Sequence, residues 1–174
     1  ADIAGTAFLT IEKSNSIKTE QHLYLPALER TRRIVASQMG RSFVNTDFTY
    51  EDMQRHPVDD WTYKIEGEES ISGHPCYILV SKPKPETNTQ YSKRVSWIEK
   101  NHCIPLKTIF WDDKGRKAKI YTVNDFEMIE GIATETEVVM KDLLSGHKTR
   151  IETLEIEYNS GLRDSLFTTR ALER

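Results

Sequence analysis

His22, His56, His74, His102 and His147 are the residues of this chain best suited to proton transfer or metal ligation, and no two stand at ligand spacing. A zinc site pairs its ligands about two to five residues apart, and a metalloprotease carries HExxH on one helix; neither pattern occurs. Each histidine sits in or beside a predicted turn or strand end. The acidic pairs Asp59-Asp60 and Asp112-Asp113 fall in turns, where aspartate is favoured because its side chain bonds the nearby backbone. Cys76 and Cys103 form no redox or zinc motif. There is no GxSxG elbow, Walker loop or Rossmann glycine pattern. The expectation is a protein that is not an enzyme and that uses no metal or other cofactor.

Two other groups could make contacts. Arg30, Arg32 and Arg33, within "ERTRRI", read as an exposed charged face with Glu29 as counterion, or as a contact surface for a partner or an anionic headgroup. Trp61, Trp97 and Trp111 read as core or interface anchors. They show no interleaving with basic residues of the kind that stacks bases. With 24 Lys and Arg against 27 Asp and Glu, the net charge is −3, so no nucleic-acid partner is expected.

The elements that must position these groups are mostly strands. At 174 residues, 37% hydrophobic and 29% charged, the chain fits one domain over 1–174. It suits a sheet with one wet face better than a buried parallel sheet, whose strands read as continuous apolar runs. From Gly5 to Asn159 short extended runs alternate with turn chemistry. "TAFLTIE" is followed by the polar loop "KSNSIKTEQ". "HLYLPALERTRRIV" is two extended pieces broken at Pro26, which cannot donate to a ladder. "DWTYKIEGEESI" meets "HPCYILVSKP" across Ser72-Gly73, and "YSKRVSWIEK" meets "CIPLKTIFW" across Asn101-His102. "DDKG" is a turn, "RKAKIYTVNDFEMI" runs to Gly131, and "TETEVVMKDLL" joins "KTRIETLEIEY" across Ser145-Gly146. In the last run Leu154, Ile156 and Tyr158 share one face. Roughly nine strands in sequence order with tight turns predict an antiparallel meander. Short helices are expected within Asp47–Arg55, capped by Thr46 or Asp47, and within Leu162–Glu173.

The stretch "GRSFVNTDFTYEDM" places Phe43, Val44, Phe48, Tyr50 and Met53 among acids and hydroxyls on a short connection. It has the two-sided composition of a lid, with Phe43, Phe48 and Met53 facing inward, or of a plug that completes a core.

Taken in order, "GTAFLT", "HLYLPALERTRRI", "GRSFVNTDFTYEDM", "WIEKNHCIPLKTIFWDDKGRKAKI" and "LFTTRALER" resemble the outer-membrane lipoprotein-sorting (LolA-like) family over nearly the whole chain. The subgroup resembled is often encoded beside RND-type exporters. The resemblance implies a mainly β fold, an unclosed antiparallel half-barrel with short helices as lid or plug. It also implies a periplasmic, non-catalytic carrier of lipoprotein or lipid acyl chains, with an exporter or membrane-bound acceptor as partner. The alternative is a sensor or accessory protein that binds a protein partner through the same fold. The family pattern has a secretion signal, a first helix and first strands ahead of the point matched by Ala1, so gating residues of that region have no position here.

Three structural expectations follow. Tyr24, Phe43, Phe48, Trp97 and Trp111 should line one apolar concavity. Cys76 and Cys103 should be free thiols, because second-neighbour strands lie about 9.5 Å apart and a disulfide needs Cα atoms within about 7 Å. In the strand Thr6–Glu12 the run "TAFLTI" has no charge or proline to blunt an edge, so two copies are expected to pair along it as a homodimer, the other outcome being a partner strand within the same chain.

Overall fold

The computed structural model describes residues 3–12 and 19–173, so residues 13–18 of the loop expected at 13–21 lie outside the described residues, while 19–21 belong to a strand instead. Among them are ten strands, every pairing antiparallel, in two sheets. The chain divides into two compact units, one formed by 1–45, 49–55 and 157–174, the other by 46–48 and 56–156.

In the first unit β1 (Ala7–Glu12), β2 (Thr19–Leu25) and β3 (Arg30–Ile34) form a sheet in the order β1-β2-β3. Pro26 opens a 3-10 turn, Pro26–Leu28, and Glu29 takes a left-handed conformation that sends the chain back as β3. Leu23 and Ile34 are buried with Tyr50, and Phe8, Leu25, Met39, Phe43 and Val44 pack on them. Gln21, fully buried, donates from Nε2 to the Tyr50 carbonyl at 2.9 Å and so ties the segment 49–55 to β2. The C-terminal 3-10 segment Thr169–Glu173 packs across all three strands. As expected, β1 ends the sheet; it pairs with β2 of the same chain.

In the second unit β4 (Trp61–Ile71), β5 (His74–Pro83), β6 (Tyr91–Glu99), β7 (Pro105–Asp112), β8 (Lys117–Ile129), β9 (Ile132–Asp142) and β10 (Lys148–Glu152) follow one another as neighbours. β4 and β10 are the two ends of this sheet, which therefore does not close into a barrel. The turns explain the order. Ser72-Gly73 and Glu130-Gly131 have positive φ at both positions, the geometry whose twist suits a two-residue hairpin. The Asp112 carboxylate accepts the backbone N–H groups of Lys114 and Arg116, and Asp142 does the same for Leu144 and Ser145.

Three expected elements are corrected. No helix forms within Asp47–Arg55. The Thr49 N–H and hydroxyl both donate to Asp52, and the Asp52 N–H donates back to Thr49. These reciprocal bonds have the pattern that opens a helix, but one turn follows, closed by the Gln54 N–H on the Glu51 carbonyl at 3.1 Å, before Pro57 bars the α region to the residue ahead of it. Within Leu162–Glu173 only 3-10 turns form, Asp164–Leu166 and Thr169–Glu173. The last strand stops at Glu152. β9 carries Thr136 as an extra residue in its pairing with β8, and Thr153 bonds the Thr136 carbonyl as the chain leaves the sheet. Leu154, expected on a shared apolar face, is 89% exposed.

Candidate functional site

The register of β5 to β10 builds a groove on one face of the larger sheet. Lys107 pairs with Thr122 and Thr122 with Val139, forming one cross-strand row. Ile120 pairs with Lys141 and Lys141 with Lys148, forming the row beside it. Residues directly opposite in an antiparallel ladder point to the same side. These six side chains therefore share a floor, joined by Asn124, and Ser70, Ile71 and Ser72 of the β4–β5 hairpin contribute the wall. The cavity volume is about 680 Å³. The Ile120 row continues as Ile109, Val95 and Val80, an apolar ladder across four strands.

Lysines lie over tryptophans on the same face. The Lys107 ammonium is 4.5 Å from the Trp97 ring centre and the Lys93 ammonium 4.1 Å from that of Trp111. Trp97 also donates its indole N–H to Glu69 at 2.6 Å. A cation over an indole face is held by the ring quadrupole, so these lysine stems cover apolar surface while their charges stay at the rim. Arg150 is committed elsewhere: it bonds Glu137 at 2.7 Å and Glu152 at 3.2 Å. That guanidinium, with the Asn124 amide, holds the Glu137 carboxyl down at about 2. Lys141 and Lys148 enter no ion pair among the described residues.

The opposite face of this sheet is covered by the unit's own short segments. Phe48 stacks edge-on against Tyr121 at 6.5 Å, and Asp47 bonds Thr149. Arg94 lies 3.9 Å over Trp61, near Tyr91 and Phe110, and donates to His56 Nδ1 at 3.3 Å. Tyr121 donates its hydroxyl to Glu135.

Of the five rings expected to line one concavity, the three in the larger unit are not brought together. Tyr24, on β2, and Phe43 belong to the smaller unit, where Phe43 meets Phe8 at 4.9 Å and Tyr50 at 5.7 Å. Trp97 and Trp111 lie on the groove's face, Phe48 on the other. None of the five is a lining residue of the groove. The lid residues divide likewise. Phe43, Val44 and Tyr50 fill the small core, Phe48 packs on Tyr121, and Met53, expected inward, is exposed. Arg30, Arg32 and Arg33 are exposed on β3, and the partner observed for Arg33 is Glu20 at 3.5 Å, not Glu29.

Sequence reasoning missed Lys107, Lys141 and Lys148, because a lysine alternating with apolar residues reads as an ordinary solvated position. The available signal was the direct pairing of Lys141 with Lys148 across β9 and β10, with Lys107 in the adjacent row on β7. Among the described residues no group of three or more His, Cys, Asp or Glu is placed to hold a metal ion.

Comparison with known proteins gives the chain its relatives. A family model described as "-like: Uncharacterized protein" matches residues 1–174. No curated protein matches the chain. Among solved structures it is similar to a DUF1329 family protein from Desulfovibrio piger, at 34% identity and a TM-score of 0.93, covering 99% of this chain and 72% of that one. It is also similar to a proposed outer membrane lipoprotein-sorting protein domain from Vibrio parahaemolyticus, at 29% identity and a TM-score of 0.90, covering 98% and 72%. A LolA superfamily protein from Nitrosomonas europaea shares the fold, with a TM-score of 0.58 over 95% and 89% of the two chains at 17% identity. The open antiparallel sheet and the match over its whole length agree: the chain belongs to the DUF1329 family and has a LolA-like fold.

Proposed function

We propose that this protein is a periplasmic carrier that binds acyl chains of lipoproteins or other lipids non-covalently and catalyses no reaction. The observation that carries this reading is the groove, about 680 Å³ with Ile71, Ile120 and Val139 in its lining. Its volume falls within the range of about 300–1,000 Å³ common for ligand sites. Acyl carriage needs little more than such a surface, since burial of each CH₂ contributes about 0.8 kcal/mol. The description of the Vibrio relative as a lipoprotein-sorting domain supports the same reading. The cargo would pass to an outer-membrane acceptor or an RND-type exporter.

A second reading, an accessory or sensor protein that binds a protein partner, is favoured by the small unit, where Phe8, Phe43 and Tyr50 pack on one another in its core. Pairing of two copies along β1 belongs with that reading. Native mass spectrometry of protein taken from a bacterial periplasm separates the two. Co-purifying acyl species at one per chain support the carrier; a ligand-free chain that fails to take up added lipid leaves the partner-binding reading.

A further inference from the structure

We propose that the groove selects lipids whose headgroup carries a net negative charge. The inference rests on the carrier reading and names the class of cargo. The chemistry is in the lining: Lys107, Lys141 and Lys148 project onto it, and it contains no carboxylate. Two of these lysines, directly paired across β9 and β10, enter no ion pair among the described residues, and the third lies over Trp97.

In a protein with three more acids than bases this local surplus is against the average. Arg150, opposite Val139 on the same face, is paired with Glu137 and Glu152. Like charges directly opposite on a ladder are destabilising, so the Lys141–Lys148 pair is a cost that an anion would relieve. Ile71, Ile120 and Val139 lie among the lysines and supply the surface for a hydrocarbon chain. An anionic headgroup would sit between Lys141 and Lys148 with its chain along these apolar side chains. A zwitterionic headgroup would bring its own cation to the same place and lose the attraction.

The test uses single-chain lipids that share one acyl chain, titrated below their aggregation threshold and read by tryptophan fluorescence and calorimetry. Lysophosphatidylglycerol is expected to bind at least tenfold more tightly than lysophosphatidylcholine or monoacylglycerol, with an affinity that falls as salt rises. K141S/K148S, checked for folding by circular dichroism, should bring the three within about twofold; K84S, in the β5–β6 loop outside the groove's lining, should change nothing. Equal binding of all three lipids by the unaltered protein overturns charge selection and leaves the carrier reading intact. Binding of none of them overturns both. Glycerol 3-phosphate binding as tightly as lysophosphatidylglycerol would show a phosphate site rather than a lipid site.

Discussion

Asp47 and Thr149, about a hundred positions apart, hold each other reciprocally. The Thr149 hydroxyl donates to the Asp47 carboxylate at 2.7 Å, and the Asp47 backbone N–H donates to the Thr149 hydroxyl at 2.9 Å. His147 Nδ1 adds a contact to the same carboxylate at 2.8 Å. The segment 46–48 is thereby pinned to β10, and Phe48 meets Tyr121 on β8, two strands along the same row. Thr149→Val keeps the shape and removes both bonds while leaving a nearly buried carboxylate short of a donor. The expected loss is about 1–3 kcal/mol, seen as a lower urea midpoint at unchanged slope. A loss below about 0.5 kcal/mol, the size of an ordinary surface change, would show that this contact does not hold the segment.

Phe43 and Met53 stand on the same short connection but should respond differently to truncation. Phe43 meets two rings edge-on, at 67° and 88°, inside the small core. Phe43→Ala is expected to cost about 2–4 kcal/mol, somewhat under the range for a fully buried ring because Phe43 is only half-buried. Met53, at 37% exposure, should cost less than about 0.5 kcal/mol. If both truncations proved neutral for stability and changed lipid uptake instead, the segment would be a gate.

What the sequence displayed and what it hid divide along physical lines. Strand order in the larger unit was readable because its connections carry turn residues whose chemistry is local: Ser72-Gly73, Asp112 to Gly115, and Ser145-Gly146. The fates of Phe43 and Phe48 were not. Their spacing permits a shared face, and only non-local pairing with Phe8 and with Tyr121 sends them to different cores. The strand end at Glu152 was hidden for a similar reason, since it depends on an extra residue in β9 and not on anything in "TLEIEY". The helix expected at 47–55 failed because Asp47, one of its two candidate caps, is taken by Thr149, and the start moved to Thr49 leaves only a turn before Pro57.

Two glutamates should give opposite pH dependence. Glu99 is fully buried, which opposes its charge, but the N–H groups of Asn101 and His102 and the His102 ring outweigh this and hold its carboxyl below the usual range. Its contribution is present above the unfolded value of about 4.3 and is lost as pH falls through the lower folded value. Burial pushes the Glu135 carboxyl up, opposed in part by the Tyr121 hydroxyl bond. Its contribution is present below about 4.3 and is lost as pH rises through the higher folded value. Urea midpoints measured from pH 3 to 7 should therefore show Glu99→Gln with a shallower acid loss than the unaltered protein. Glu135→Gln should show a shallower loss just above the unfolded value. Parallel curves for all three proteins would refute both assignments.

Cys76 and Cys103 are free, and their surroundings should separate their reactivity. The sequence placed Cys103 on a strand; it lies instead in the turn between β6 and β7, exposed, with φ of 59°. Cys76 on β5 is completely buried against Leu106 and Val123, and its thiol donates to the His74 carbonyl at 3.3 Å. The thiolate is the reacting form, and burial pushes the Cys76 thiol up, away from ionisation. A thiol reagent added to the native, unreduced protein should titrate one equivalent rapidly, and Cys103→Ser should abolish that phase. The second equivalent should appear only with denaturant, at a rate that follows unfolding of the larger sheet. Two equivalents in the denatured, unreduced chain confirm that no bridge exists. Equal rates for both thiols in the native state would mean that the β5 end of the sheet opens to solvent, contrary to the packing of Cys76.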